Sequence, residues 1–414
     1  MANDKNDRSV ILNRRKFLRA AIMTGVGGGF SGRLMAALAG DVVTMPFANG
    51  ERHLATFPQK RPLILLTSRP PQLETPFAIF NESILTPNDA FFVRYHLSQI
   101  PTSIDPDQFR LNVKGNVKTP LSLSLTELKT QFEPTDIVAV NQCSGNSRGF
   151  SEPRVPGGQS GNGAMGNARW KGVRLKDILA KAGVGSGVKQ ATFQGLDRPP
   201  LETTPPFIKA LDIDHALDGE VMVAYQMNGE DLPMLNGFPI KLIVPGYYGT
   251  YWVKHLSDIT LVDDVFSGFW MSTAYRIPDN PCACVEPGSP AGKTKPIERF
   301  NVRSFVTSLA NGDKVRVGKE ISVRGIAFDG GYGIVSVQFS SDGGRTWREA
   351  ALGENLGKYS FREWTCRFTP RTSGDYVLLV SATNRIGQSQ PLSPLWNPPG
   401  YMRNVVESVR VTAS

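Results

Sequence analysis

The 414-residue chain predicts an α+β protein, in which a mixed α/β block over residues 88–300 is followed by an all-β, immunoglobulin-like sandwich over residues 301–414. Three observations carry this reading. Helix-start signals alternate with apolar, strand-like runs through the first block. A Pro/Cys/Gly-rich stretch from Pro278 to Pro296 then breaks the pattern. From Lys314 onward, short alternating strands recur at regular spacing between Asp-Gly turns.

Each element has a local reason. Residues 40–87, rich in Pro and polar residues with short apolar pieces such as Leu63–Leu66, read as an extended lead-in packed on the next domain. Ile137–Val140 is an apolar run of strand length. Ser124, with Glu127 three residues on, starts a helix within Leu121–Thr130, and Leu175–Ala182 is a second short amphipathic helix. Glu220–Tyr225 and Ile240–Val244 are strands closed by Gly or Pro punctuation. In the sandwich, the expected strands are Ile321–Ile326, Ile334–Phe339, Trp347–Ala350, Tyr376–Ser381 and Val405–Val411, with a turn at Ser341-Asp342-Gly343-Gly344.

Residues 1–39 read as an export signal of the twin-arginine type. Arg14-Arg15 precedes a mildly apolar, glycine-containing run, and Ala37-Leu38-Ala39 forms a small-residue cleavage site before Gly40. Such a signal carries folded proteins and implies a periplasmic location. Seven of the 46 Lys and Arg residues and two of the 37 acids lie in this segment, so the +9 of the whole chain leaves +4 on the remainder. That small excess, without a basic–aromatic cluster, argues against a nucleic-acid binder. Past the N-terminus no run approaches 18 uninterrupted apolar residues, so no membrane span is expected.

Only four cysteines are present. No C-x-x-C-H haem-attachment site and no tetrahedral zinc spacing occurs among them. Cys282 can pair with Cys284, in a tight geometry, or with Cys366, and the sequence leaves both open. Cys143 stands apart. It follows the Ile137–Val140 run within Val140-Asn-Gln-Cys-Ser-Gly-Asn-Ser-Arg148, where the small polar residues can turn a loop with N–H groups facing an anion and Arg148 adds positive charge. Taken alone, a cysteine after a strand is more often a small buried hydrophobe than a ligand.

From about Asn88 to the C-terminus the chain resembles the sulfite oxidase family of molybdenum enzymes, and among them the bacterial sulfite dehydrogenases. The resemblance runs through Phe91-Phe-Val-Arg-Tyr-His96, the Cys143 segment, Asn167-Ala-Arg-Trp-Lys-Gly-Val173, Asn236-Gly-Phe-Pro-Ile-Lys241, Val244-Pro-Gly-Tyr-Tyr-Gly249 and Trp252-Val-Lys254. It implies a molybdenum–molybdopterin cofactor ligated by Cys143 and anchored by Asn236, Lys241 and Lys254. It implies a sulfite pocket built from Arg94, Arg148 and Tyr275, with His96 beside it. If the Arg94 segment is a strand, Arg94 and His96 share a face. Arg169 is read as structural or near the pterin. Read without the resemblance, Arg94 would be a solvated or salt-bridged cation, Tyr275 a partly buried aromatic, and Lys241 a residue at the edge of an apolar strand. His96 fits a structural, hydrogen-bonded histidine as well as a site residue.

Departures from the vertebrate members occur at Tyr95, where they carry asparagine, and at Asn236 and Lys241, where they carry histidine and arginine. The implied activity is oxidation of sulfite to sulfate, with electrons passed to a separate c-type cytochrome, since no haem site is encoded in this chain. The sandwich implies a dimer, homo- or heteromeric. The rival readings are the molybdenum subunit of a sulfane-sulfur dehydrogenase and a non-catalytic binding or assembly protein.

Overall fold

The computed structural model describes residues 37–414, so most of the expected export signal lies outside the described part. The block expected to mix α and β elements is mostly sheet, with few helices. Among the described residues the α-helices are short: Leu125–Thr130, Leu175–Ala182, Ile213–Leu217 and Phe269–Ser272. The first begins with the anticipated reciprocal cap, Ser124 Oγ accepting from Glu127 N while the Glu127 carboxylate accepts from Ser124 N. The second buries Leu175, Ile178, Leu179 and Ala182 on one face and stops at Gly183, whose φ is +71°.

The segment expected as an extended lead-in is pleated. Ala37–Thr44, Glu51–Thr56, Leu63–Ser68 and Pro71–Glu74 form an antiparallel meander, and Val93–Arg94 adds the fifth strand. Arg94 therefore pairs with Gln72, and the segment is a wall of the site rather than an approach to it.

Two further sheets make the body of the first block. One runs in the order Ile208–Asp212, Gln190–Gly195, Leu256–Val262, Leu111–Gly115, Leu121–Leu123, with a parallel pairing between the third and fourth strands. The other pairs Pro134–Gln142 with Met165–Arg174, then Met222–Met227, which pairs in turn with both Glu230–Asp231 and Lys241–Ile243. Phe91, Trp170, Phe193 and Leu242 are fully buried in the core that these elements share.

The C-terminal block is a two-sheet sandwich. Arg303–Val306, Ile321–Phe328, Arg362–Phe368 and Ala351–Leu352 form one sheet; Asp313–Val315, Glu407–Ala413, Gly374–Asn384, Ile334–Ser340 and Arg348–Glu349 form the other. The expected single strand Trp347–Ala350 is two short strands in different sheets. The chain crosses between them at buried Ala350, whose N–H donates to Val337 O at 2.8 Å. Trp364, Phe339, Val323 and Leu378 fill the space between the sheets. Among the described residues no helix is long and apolar enough to cross a membrane.

Candidate active site

Cys143 follows the last residue of the Pro134–Gln142 strand, and its N–H donates to Ala164 O at 2.9 Å. Its thiol is free and half-buried. In the loop beyond it, Asn146 N bonds Cys143 O, Ser147 N bonds Gly161 O and Arg148 N bonds Gly145 O. For Asn146 and Ser147 the expectation of N–H groups that face an anion is therefore corrected, because carbonyls take them; nearby side chains supply positive charge. A second loop braces the first. Buried Glu74 accepts from Gly161 N and Gly163 N at 2.9 and 2.8 Å, and burial lifts its carboxyl to about 7 against those two bonds.

Two adjoining cavities meet at Cys143 and Arg94. The larger is lined by His96, Asn236, Lys241, Lys254 and Tyr275, the smaller by Arg148. The seven other residues singled out from the sequence thus line the two cavities that share Cys143. Arg169 does not; it is exposed and lines a separate surface cleft, so the expectation of a place near the pterin is not met.

Among the described residues, neither Arg94 nor Arg148 has a carboxylate partner. The Arg94 guanidinium bonds Tyr95 O. Arg148 donates from Nε to Pro399 O at 3.0 Å, and its guanidinium lies against two glycines. A Cβ on Gly145 would fall 2.6 Å from its Cζ, and one on Gly157 would fall 2.6 Å from Nη1. Tyr275 sits at a φ of +59°, in the left-handed region that a tyrosine seldom occupies. Its hydroxyl meets His96 Nε2 at 2.5 Å. His96 also stacks on Phe207, with ring centroids 3.8 Å apart. Burial, then the charges of Arg94, Lys254 and Lys209, push the His96 imidazole well below its ordinary range, so it is neutral at pH 7. Burial likewise raises the Tyr275 phenol, which keeps its proton.

The lysines form the opposite wall. Lys241 is the first residue of the Lys241–Ile243 strand, yet it is 2 % exposed; its ammonium lies 4.8 and 5.5 Å from the Trp170 and Trp252 ring centroids. Among the described residues no hydrogen-bond partner meets it, and burial holds its pKa well below the usual lysine value. The Lys254 ammonium bonds Arg94 O and lies over the Tyr95 ring, and burial lowers it to about 8. Asn236 donates to Phe92 O at 3.1 Å and accepts from Lys60.

Two cations escaped the sequence reading. Lys60 lies in the misread lead-in, and Lys209 is fully buried in the Ile208–Asp212 strand, its ammonium on Trp270 O at 2.7 Å. A lysine in the middle of an apolar strand was the available signal for Lys209.

The donor set fits the anionic metal cofactor that the resemblance implies. Asn141 Oδ1, Ser144 Oγ and Thr250 Oγ1 are buried along the larger cavity with no partner, in a protein where such groups are ordinarily satisfied. Unpartnered acceptors and hydroxyls beside an unpartnered ammonium suit a polar, phosphate-bearing ligand, and a free thiol at the cavity junction suits a soft metal. Among the described residues no three His, Cys, Asp or Glu side chains converge, so a metal at Cys143 would take its other ligands from that bound group.

Comparison with known proteins decides the family. Residues 97–270 match an oxidoreductase molybdopterin-binding domain, and residues 294–414 match a Mo-co oxidoreductase dimerisation domain. The chain is 33% identical over 361 residues to the sulfite oxidase of Gallus gallus, covering 83% of this chain and 77% of that one. It belongs to the sulfite oxidase family of molybdenum enzymes. Against the mitochondrial sulfite oxidase of Rattus norvegicus, identity is 32% over 373 residues, and the chain spans 66% of that protein's length. The fold is that of the crystal structure of the sulfane dehydrogenase SoxCD from Paracoccus pantotrophus, with a TM-score of 0.71 at 24% identity, covering 83% of this chain and 84% of the other. The molybdopterin-domain match begins just past Arg94, which the N-terminal meander carries, and His96, which follows it.

Proposed function

We propose that this family member is a periplasmic sulfite dehydrogenase, exported folded, that converts sulfite and water to sulfate, two protons and two electrons and hands the electrons singly to a c-type cytochrome. The observation that carries the reading is the placement of Arg94 and Cys143 at the junction of two cavities, with Arg148 in one and Tyr275 in the other. Asn236, Lys241 and Lys254 would hold the pterin and its phosphate, and Cys143 would ligate the metal. When bound, the molybdenum–molybdopterin group supplies the oxygen-atom transfer and the two-electron redox capacity.

The residues do the rest. Sulfite carries a charge near −2, and removing it from water is costly unless cations replace the lost solvation. Arg94 and Arg148 supply two planar, multi-donor cations, and among the described residues no carboxylate pairs with either to compete. Tyr275, kept protonated, offers a neutral donor to the anion, and neutral His96, 2.5 Å from its hydroxyl, fixes that hydroxyl's orientation.

Metal and pterin analysis, combined with sulfite-dependent cytochrome c reduction, tests the proposal. A thiol-bound sulfane donor run in parallel separates the substrate classes. Molybdenum-loaded protein that turned over the sulfane donor and left sulfite untouched would overturn the sulfite reading. Loaded protein that passed electrons readily to oxygen and negligibly to cytochrome c would overturn the acceptor.

A further inference from the structure

The segment 396–402 leaves the sandwich and lies across the Cys143 loop. Met402 N donates to Ser144 O at 3.2 Å, and Pro399 O accepts from Arg148 Nε. Its other end is fastened to the turn closed by the Cys282–Cys284 disulfide, where Val285 N donates to Trp396 O at 2.9 Å and Asn397 Nδ2 to Ala283 O at 3.2 Å. Within this strap sits Tyr401. Its ring is parallel to that of Tyr275, with centroids 5.4 Å apart and planes 3° off, and the Arg148 guanidinium lies 5.1 Å from its centroid.

Both neighbours need holding. Arg148 donates to the Pro399 and Gly158 carbonyls and meets no carboxylate among the described residues, and a guanidinium over an aromatic face in a desolvated site gains more than at the surface. Tyr275 occupies a backbone conformation that persists only where its surroundings over-determine it. A single ring in contact with both fixes their separation.

We infer that Tyr401 is a positioning residue of the oxyanion pocket, its ring holding Arg148 and Tyr275 at the spacing that a small sulfur oxyanion requires. The identity of that anion rests on the reaction proposed above, whereas the effect on anion binding does not.

The test uses molybdenum-loaded Tyr401→Phe, Tyr401→Leu and Tyr401→Ala proteins, with sulfate affinity measured by calorimetry and sulfite kinetics normalised to metal content. Phe keeps the ring, so sulfate Kd and sulfite KM stay within about twofold of the parent. Leu and Ala weaken sulfate binding and raise KM by about tenfold, while kcat falls far less. Parent-like sulfate affinity in the Leu protein overturns the inference, as does a Phe protein damaged as much as the Leu protein. Loss of molybdenum from the Leu protein also overturns it, because Tyr401 would then be a scaffold residue. If the parent binds sulfate but does not oxidise sulfite, the proposed reaction fails, and the ratio of sulfate affinities still judges Tyr401.

Discussion

Gly145→Ala is a one-carbon change aimed at a single side chain. Gly145 does not occupy the left-handed region, so an alanine there is compatible with the backbone. The added carbon would lie 2.6 Å from Arg148 Cζ, 2.7 Å from Nη2 and 2.9 Å from Nη1. Ordinary carbon contacts are about 3.5–4.0 Å, so the guanidinium must retreat by about 1 Å. The clash falls on the far end of a flexible chain, so the protein folds and the cation moves. A displacement of that size in a substrate-orienting group costs up to about 100-fold. Losing hydrogen bonds to a charged group costs about 1.5–3 kcal/mol, which likewise corresponds to about 10- to 100-fold in kcat/KM. Stability changes by less than about 1 kcal/mol. The assay is steady-state sulfite oxidation normalised to molybdenum, with a melting curve as control. Unaltered kcat/KM in a fully loaded protein would falsify the assignment of Arg148 to the substrate pocket.

Two other substitutions separate chemistry from scaffolding. Tyr275→Phe removes the donor on His96 without removing the ring that meets Tyr401, so kcat/KM for sulfite drops about 10- to 100-fold at unchanged molybdenum content; a smaller loss would take the hydroxyl out of the site. Glu74→Gln leaves one of the two bonded glycine N–H groups without an acceptor and lowers stability by about 1–3 kcal/mol. Because burial raises the Glu74 pKa from 4.5 to about 7, its contribution is fully present below about pH 4.5 and fades as pH rises through about 7. The cost of Glu74→Gln therefore shrinks across that window in denaturant titrations at a series of pH values, and a cost that grew instead would remove Glu74 as its source.

Local signals were legible where a short stretch decides its own structure. The Ser124–Glu127 cap, the Leu175–Ala182 face and the Asp-Gly turns of the sandwich act over a few residues, and the folded chain follows them. The meander over residues 37–74 was missed because its short apolar strands are separated by Pro and polar residues that read as a linker, and their pairing is non-local. The eight site residues were found through motifs, yet the reasons for their positions come from far along the chain. Arg148 is cradled by Gly157 and Gly400, and Lys254 bonds a carbonyl of the N-terminal meander's last strand. Lys60, Lys209 and Tyr401 had no motif, because what makes each a site residue is burial and proximity created only by folding.

Those buried cations lead to a test of whether the site is built around an anion. Burial lowers Lys60 and Lys209 to about 7 and Lys254 to about 8, from 10.5. A lysine whose pKa is depressed on folding contributes stability that is present above the unfolded value and lost as pH falls through the folded one. Without cofactor, the folded protein should therefore gain stability as pH rises from 7 to 9, by on the order of 1 kcal/mol per pH unit for each lysine that has shed its proton. A bound phosphate favours the ammonium forms, restores their pKa values and removes the gain. The measurement is the melting temperature of protein made with and without a functional cofactor-synthesis pathway, followed across that range. The two curves converge as pH rises if the lysines hold an anionic group. Parallel curves would mean that the cofactor's charge is met elsewhere, and Lys241 and Lys254 would revert to structural lysines beside an aromatic core.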